Sequence, residues 1–220
     1  MRAYYPHIIK EGGLNYQIGK LEGNTVFYDF DRIWMYLDAK GKKSFGDHFR
    51  LYKGDRELIY KLVNYFVRDL EVCKKYGLDI HKGIMLTGPI GCGKTSLMKL
   101  MRHITPHLKP YEVIPCRNIA FGYNHIGCRT IEGFGDSGYY CFDDLGIEQD
   151  GKHYGKDCNV MGEILLSRYD LFIGQQLKTH VTTNLDSDEI EGRYGNRVRS
   201  RMREMFNIVA FDIGSGDKRK

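Results

Sequence analysis

The sequence predicts an α/β fold in which a parallel sheet is covered by helices on both faces. Three observations carry that expectation. Short apolar runs alternate with helical patterns from about residue 83 onward, the first of those runs leads through a glycine-rich turn straight into a helix, and the composition is that of an ordinary folded chain, 42% hydrophobic and 13% aromatic. At 220 residues the chain is expected to hold one good-sized domain, 55–220, preceded by an N-terminal extension, 1–54.

Residues 1–54 show no clear period; Thr25–Phe30 reads as a strand, while Gly12, Gly13, Gly41 and Gly46 punctuate the rest. From Asp55 the pattern changes, because Leu58, Ile59, Leu62, Val63, Phe66, Val67 and Leu70 recur at three- and four-residue steps. They predict one amphipathic helix, capped at its start by Asp55, with Lys74 and Lys75 at its negative end, closed by Gly77 and packed on the main sheet. Gly83–Thr87 is the first apolar run of the α/β pattern, followed by a helix beginning near Ser96. Further strands are expected at Tyr111–Ile114, Tyr139–Phe142, His180–Thr183 and Phe206–Phe211, with helices at Val160–Ile173, Ser187–Tyr194 and Asn196–Met205.

Several function classes are set aside by what the chain lacks. No stretch approaches the roughly 18 apolar residues of a membrane helix, and the start, Met1-Arg2-Ala3-Tyr4-Tyr5-Pro6, has no secretory apolar segment, so a soluble, cytoplasmic protein without a membrane partner is expected. The six cysteines contain no C-x-x-C pair, which suggests neither a zinc site nor a disulfide framework. His103 and His107 have the i, i+4 spacing of a helical metal pair, but Pro106 between them would break that helix. The formal charge of +5 permits phosphate-rich partners without demonstrating one.

The chemistry concentrates in a few segments. Gly88, Pro89, Ile90, Gly91, Cys92, Gly93, Lys94 and Thr95 spell G-x-x-x-x-G-K-T between a predicted strand and a helix that continues with Ser96. The glycines let the backbone curl so that successive N–H groups and the positive helix end face a polyphosphate, Lys94 puts a compact charge on its outer phosphates, and the Thr95 hydroxyl can ligate Mg2+. Cys92 reads either as an oxidisable thiol near a helix start or, the favoured reading, as a small buried filler. The strand Tyr139–Phe142 ends in Asp143 and Asp144 at the carboxyl edge of the sheet, where Asp143 can hold the metal and Asp144 can orient or deprotonate a water. A third strand ends in Asn184, a neutral group able to reach that water or the terminal phosphate. Arg193, Arg197, Arg199, Arg201 and Arg203 crowd a helix whose apolar stripe is Val198, Met202, Met205 and Phe206, and Arg197 and Arg201 share one face. That run is either a solvated face paired with Glu204 and other acids or a guanidinium offered to a neighbouring subunit's phosphate.

In this order, Gly88–Thr95, Phe142–Gly146, Thr183–Leu185 and Gly195–Arg203 resemble the AAA+ ATPases of the DnaC helicase-loader and IstB transposition-helper group, a P-loop NTPase likeness covering residues 77–220. The resemblance implies ATP and Mg2+ as cofactors, with Lys94 and Thr95 in Walker A, Asp143 and Asp144 in Walker B, Asn184 as sensor 1, Arg201 as arginine finger, Arg197 as a second family arginine and Arg219 as sensor 2. Many AAA+ proteins have Asp-Glu where this chain has Asp143-Asp144, which implies a different water position or slower turnover. The short stretch after Phe211 implies an AAA+ core with no C-terminal lid domain.

The resemblance further implies an ATP-bridged oligomer acting as a switch in DNA replication through helicase loading, with help to a DNA transposase as the alternative. Partners would then be single-stranded DNA and a replicative helicase or a transposase, docked by residues 1–54. Arg117, Phe121, Tyr123, His125, Arg129 and Phe134 interleave basic and aromatic groups, and the loop after Walker B holds Lys152, His153, Tyr154 and Lys156. Such groups neutralise phosphates and stack on bases, or else belong to an aromatic core beside a polar loop. A small-molecule kinase is the enzymatic rival, and a non-hydrolysing nucleotide-dependent module the binding rival.

Overall fold

The computed structural model describes residues 5–105 and 107–219. Pro106, expected to break a helix, and Met1–Tyr4 of the expected leaderless start lie outside them. The chain divides into two compact units: residues as far as Leu78 with Ser96–Pro110, and Asp79–Thr95 with the chain from Tyr111 onward. The boundary after Leu78 differs from the expected one at 54/55.

The first unit opens with two antiparallel hairpins, β1 (Ile8–Glu11) with β2 (Leu14–Gln17) and β3 (Gly19–Glu22) with β4 (Thr25–Tyr28). Helix α1 (Phe30–Phe45) follows at once, because Asp29 accepts the Asp31 and Arg32 N–H groups as an N-cap. It buries Ile33, Tyr36, Leu37 and Gly41. The single helix expected from Asp55 is two. Helix α2 (Arg56–Val67) buries Leu58, Ile59, Leu62 and Val63 as the period requires, and clusters with this unit rather than with the main sheet. It ends where Arg68 turns left-handed (φ 62°), and Asp69 starts α3 (Leu70–Lys75) by accepting the Val72 N–H. Asp55 makes no side-chain cap bond, whereas the expected closure at Gly77 (φ 66°) is present.

The second unit is a five-stranded, all-parallel sheet flanked by helices. Its strands are β5 (Gly83–Thr87), β6 (Glu112–Pro115), β7 (Tyr140–Leu145), β10 (His180–Thr183) and β11 (Phe206–Ala210), in the order β11-β5-β10-β7-β6. Every residue of β10 and the first four of β5 are buried, as strands covered on both faces must be. Helix α4 (Lys94–Met101) follows β5, so neither His103 nor His107 lies on a helix. Helices α5 (Cys116–Ile126) and α6 (Cys128–Phe134) precede β7, and α7 (Val160–Gln175) precedes β10. The segment expected to be a loop after the paired acids instead forms the hairpin β8 (Gly151–His153) and β9 (Lys156–Cys158). Tyr123 is buried in the core of this unit and Phe134 packs against it, so these two aromatics are not surface groups.

Helix α8 (Ser187–Met205) opens on a capping box, with Asp186 accepting the Asp188 and Glu189 N–H groups while the Glu189 carboxylate accepts the Asp186 N–H. It kinks at Gly195 (φ 81°, ψ 160°), a backbone region open only to glycine, which divides it where two separate helices were expected. The expected stripe of Val198, Met202, Met205 and Phe206 is buried.

Candidate functional site

The register of the central strands levels their ends. Thr183 pairs with Thr87 on one side and with Leu145 on the other, so the glycine-rich loop, Asn184 and the turn after the paired acids leave the sheet side by side. This is the carboxyl edge, where open α/β sheets bind their ligands. Strand β10 lies between the loop strand and the acid strand.

Three positive φ angles shape the loop: Gly88 (148°), Gly91 (80°) and Gly93 (102°). Beside Gly93 there is open space, since a Cβ built there meets nothing nearer than Lys218 Cδ at 3.9 Å. Lys94 is 6% exposed, and its Nζ donates to the Gly88 carbonyl at 2.7 Å and the Pro89 carbonyl at 2.9 Å. Among the described residues it has no ion pair with a carboxylate. Cys92 is fully buried, the filler that was expected, while Ile90 is exposed.

Asp143 is buried at 4% exposure, and its Oδ1 accepts two hydroxyls, Thr95 Oγ1 at 3.0 Å and Thr182 Oγ1 at 2.7 Å. The Thr182 hydroxyl in turn accepts the Asp144 N–H at 2.8 Å. A bulge explains this geometry: between the pairs Val181–Phe142 and Thr183–Leu145, the two acids oppose the single Thr182. Asp144 sits at φ 54°, a sparsely occupied conformation for a residue with a side chain, so strict strand alternation is broken at the acid pair. Asn184 is exposed just beyond β10.

The donor set fits Mg2+ and a polyphosphate. A buried ammonium without a counter-ion among the described residues, a hydroxyl and a carboxylate in mutual contact, and glycine backbone facing open space are complementary to an anion and its hard cation. Mg2+ keeps waters and takes few protein ligands beside phosphate, and Thr95 and Asp143 are residues that could supply them.

The arginines are divided by the structure. Arg199 is engaged in its own helix, with Nη1 on Glu191 and Nη2 3.9 Å from Asp188, as a solvated paired face would have it. Arg197 is exposed. Arg201 stacks over the Tyr169 ring at 4.9 Å and donates to the Arg197 carbonyl at 3.3 Å. Arg219 is exposed, and its N–H bonds the Asp217 carboxylate at 3.0 Å. Lys218, one residue earlier, is the tail residue that bonds the loop, its N–H to the Gly91 carbonyl at 3.0 Å and its Nζ to the Cys92 carbonyl at 2.7 Å. A Cβ on Gly91 would overlap the Asp217 carboxylate, so the tail presses against the loop at that glycine.

Sequence reasoning missed Thr182 as the partner of Asp143, Glu148 as a buried acid and Lys218 as a loop contact. Thr182 had a signal, a hydroxyl in a strand two residues before Asn184; the reach of Glu148 to Tyr194 and of Lys218 to Cys92 had none, because these contacts span 46 and 126 positions of chain.

No protein-family model matches the chain, and no curated protein matches it in sequence. Among solved structures, it is similar to the DnaC helicase loader at 18% identity and a TM-score of 0.54, over 82% of this chain and 99% of that one. It is similar to DnaI at 21% identity and a TM-score of 0.53, over 76% of this chain and 90% of that one. The likeness is one of fold: the chain shares with these structures an α/β architecture, here a five-stranded parallel sheet ordered β11-β5-β10-β7-β6 with a glycine-rich loop after β5.

Proposed function

We propose that this chain is a Mg2+-dependent ATPase that works as an oligomeric switch in DNA replication, of the helicase-loading kind. The observation that carries the reading is Lys94, a buried ammonium held by two carbonyls and, among the described residues, paired with no carboxylate. Burying an unpaired charge costs several kcal/mol. The arrangement makes physical sense if an anion from outside completes it, and the glycines around it offer the N–H groups such an anion needs. The fold shared with a protein described as a helicase loader supports the direction of the reading.

In this reading Lys94 binds the outer phosphates and Pro89, Ile90 and Cys92 through Ser96 complete the loop around them. Thr95 and Asp143 would hold Mg2+, which would supply positive charge against the charge that develops on the phosphates. Asp144 accepts the proton of the attacking water, and Asn184 orients that water. Arg201 leaves the Tyr169 ring to meet the nucleotide of a neighbouring copy, and Arg197 faces the same junction. Arg219 remains the proposed sensor of the terminal phosphate, with Lys218 holding the tail on the loop. Single-stranded DNA fits the tip of the β8–β9 hairpin, where Tyr154 is 95% exposed between the exposed Lys152 and Lys156, and the outer side of α5 and α6, where Arg117, Phe121, His125 and Arg129 are exposed.

The test is turnover against protein concentration. Phosphate release in ATP and Mg2+ is expected to rise with concentration, and Arg201→Ala is expected to lose that rise, by about tenfold or more, while binding a fluorescent ATP analogue as tightly as the parent. Turnover independent of concentration, or unaltered in Arg201→Ala, overturns the switch. Capture of a transposase rather than a replicative helicase from the native host would redirect the partner.

A further inference from the structure

Glu148 takes no part in the site described so far, yet it is 4% exposed and fully engaged. One carboxylate oxygen, Oε2, accepts the Gly146 N–H at 2.9 Å and so closes the turn that follows the paired acids. The other, Oε1, accepts the Tyr194 hydroxyl and lies 3.5 Å from Arg193 Nε, while Arg193 Nη2 donates to the Glu148 carbonyl. Burial, and then the facing Glu148 carboxylate, raise the Tyr194 hydroxyl far above the ordinary phenol, which keeps it a donor at any working pH. Arg193 is tied from a second side, its carbonyl accepting Asn159 Nδ2 at 2.8 Å.

Position gives this cluster its meaning. Arg193 and Tyr194 are the last residues before the Gly195 kink, and Arg197 and Arg201 lie just past it. Replacing a buried ionic cluster by well-packed hydrophobes is often neutral or stabilising, so stability alone does not account for this one; fixing a register is the best-attested use of such clusters. Here a carboxylate reaches from the acid turn to the two residues before the kink.

We infer that Glu148 is a positioning residue, coupling the turn after Asp143 and Asp144 to the kink at Gly195 and thereby setting the angle at which Arg201 is offered to a neighbouring copy. The inference rests on the proposed ATPase reading, because the angle matters only if Arg201 serves another copy's nucleotide.

The experiment uses the full chain and reads three quantities: affinity for a fluorescent ATP analogue, kcat at saturating ATP, and hydrogen exchange of the amides of residues 194–200. Glu148→Asp, too short to span, is expected to lose about tenfold in kcat while binding nucleotide within about twofold of the parent, and to exchange faster at 194–200 with β7 unchanged. Glu148→Gln, with the same reach, is expected to keep at least about a third of kcat. Unaltered kcat, unaltered exchange, or affinity falling in step with kcat each overturns the inference. Should Glu148→Asp fail to fold, Tyr194→Phe removes one hydroxyl and is read by the same three measures. A parent chain that never hydrolyses ATP defeats the ATPase reading; the exchange result still decides whether Glu148 holds the kink.

Discussion

The chain contains two lysine clusters built in opposite ways. In the first unit, Lys40 and Lys43 close on the single carboxylate of Glu11, at 2.6 and 3.2 Å, with the Tyr36 hydroxyl donating to the same group at 3.3 Å. In the second, Lys94 donates to two carbonyls and, among the described residues, pairs with no carboxylate. A lysine met by a carboxylate braces the structure around it and has little left to offer a ligand. A buried lysine given only neutral acceptors keeps its full charge for something that arrives later.

Four measurements would break or sharpen that contrast. The largest effect belongs to Lys94→Ala, expected to weaken nucleotide binding by about 100-fold or more, on the order of 3 kcal/mol, in a fluorescence titration where Lys40→Ala binds as the parent does. Next is acid sensitivity, because each unit holds a histidine kept neutral. His180 is lowered to about 3 by burial and then by Lys178 and Arg168, while its Nδ1 accepts the Ile84 N–H at 3.0 Å; His103 is lowered to about 4 by burial and then by Lys40 and Arg102, against Glu11. As pH falls below about 6.5 the unfolded chain takes up protons that these folded histidines refuse, so stability present at neutral pH drains away toward the depressed values. Between pH 6.5 and 4.5 the His180 contribution is on the order of 2 kcal/mol, and urea unfolding of His180→Asn, whose amide oxygen can accept the same N–H, should lose less stability with acid than the parent.

Glu11→Gln should come third, costing about 1 kcal/mol of unfolding free energy and leaving nucleotide affinity unchanged. An effect on affinity would show that the brace and the site are not separate devices. The smallest effect is expected from Asp217→Asn: removing the carboxylate pressed against Gly91 should tighten nucleotide binding about two- to threefold at low salt, with the gain fading as salt rises. Weaker binding would mean that the tail carboxylate orders the loop more than it repels the ligand.

The two units were also unequally legible. The second could be read because β5 is an apolar run buried over its first four residues, because short strand runs alternate with helical patterns around it, and because the chemistry of the phosphate loop fixes residues at short spacing. Within the site, Gly88–Thr95, Asp143 and Asp144 were plain for that reason. The first unit hid α1, although Ile33, Tyr36 and Leu37 carry a helical period, because Gly41 reads as punctuation. Its real reason is packing: the Phe49 ring occupies the place where a Cβ would stand. The break at Arg68 hid in the opposite way, since apolar residues continue in period across it and only Asp69, a capping residue, marks the new start. The hairpin β8–β9 was obscured because its strands are three residues each and seat on α5 through Tyr123 and Asn124, far away in sequence.

The bend at Gly195 gives this fold a place to evolve. The residue there carries no side chain, and its φ of 81° and ψ of 160° set the direction that Arg197, Arg199, Arg201 and Arg203 take relative to the first half of the helix. A residue with a Cβ would be strained in that conformation, so a substitution at this single position would redirect all of those guanidinium groups together.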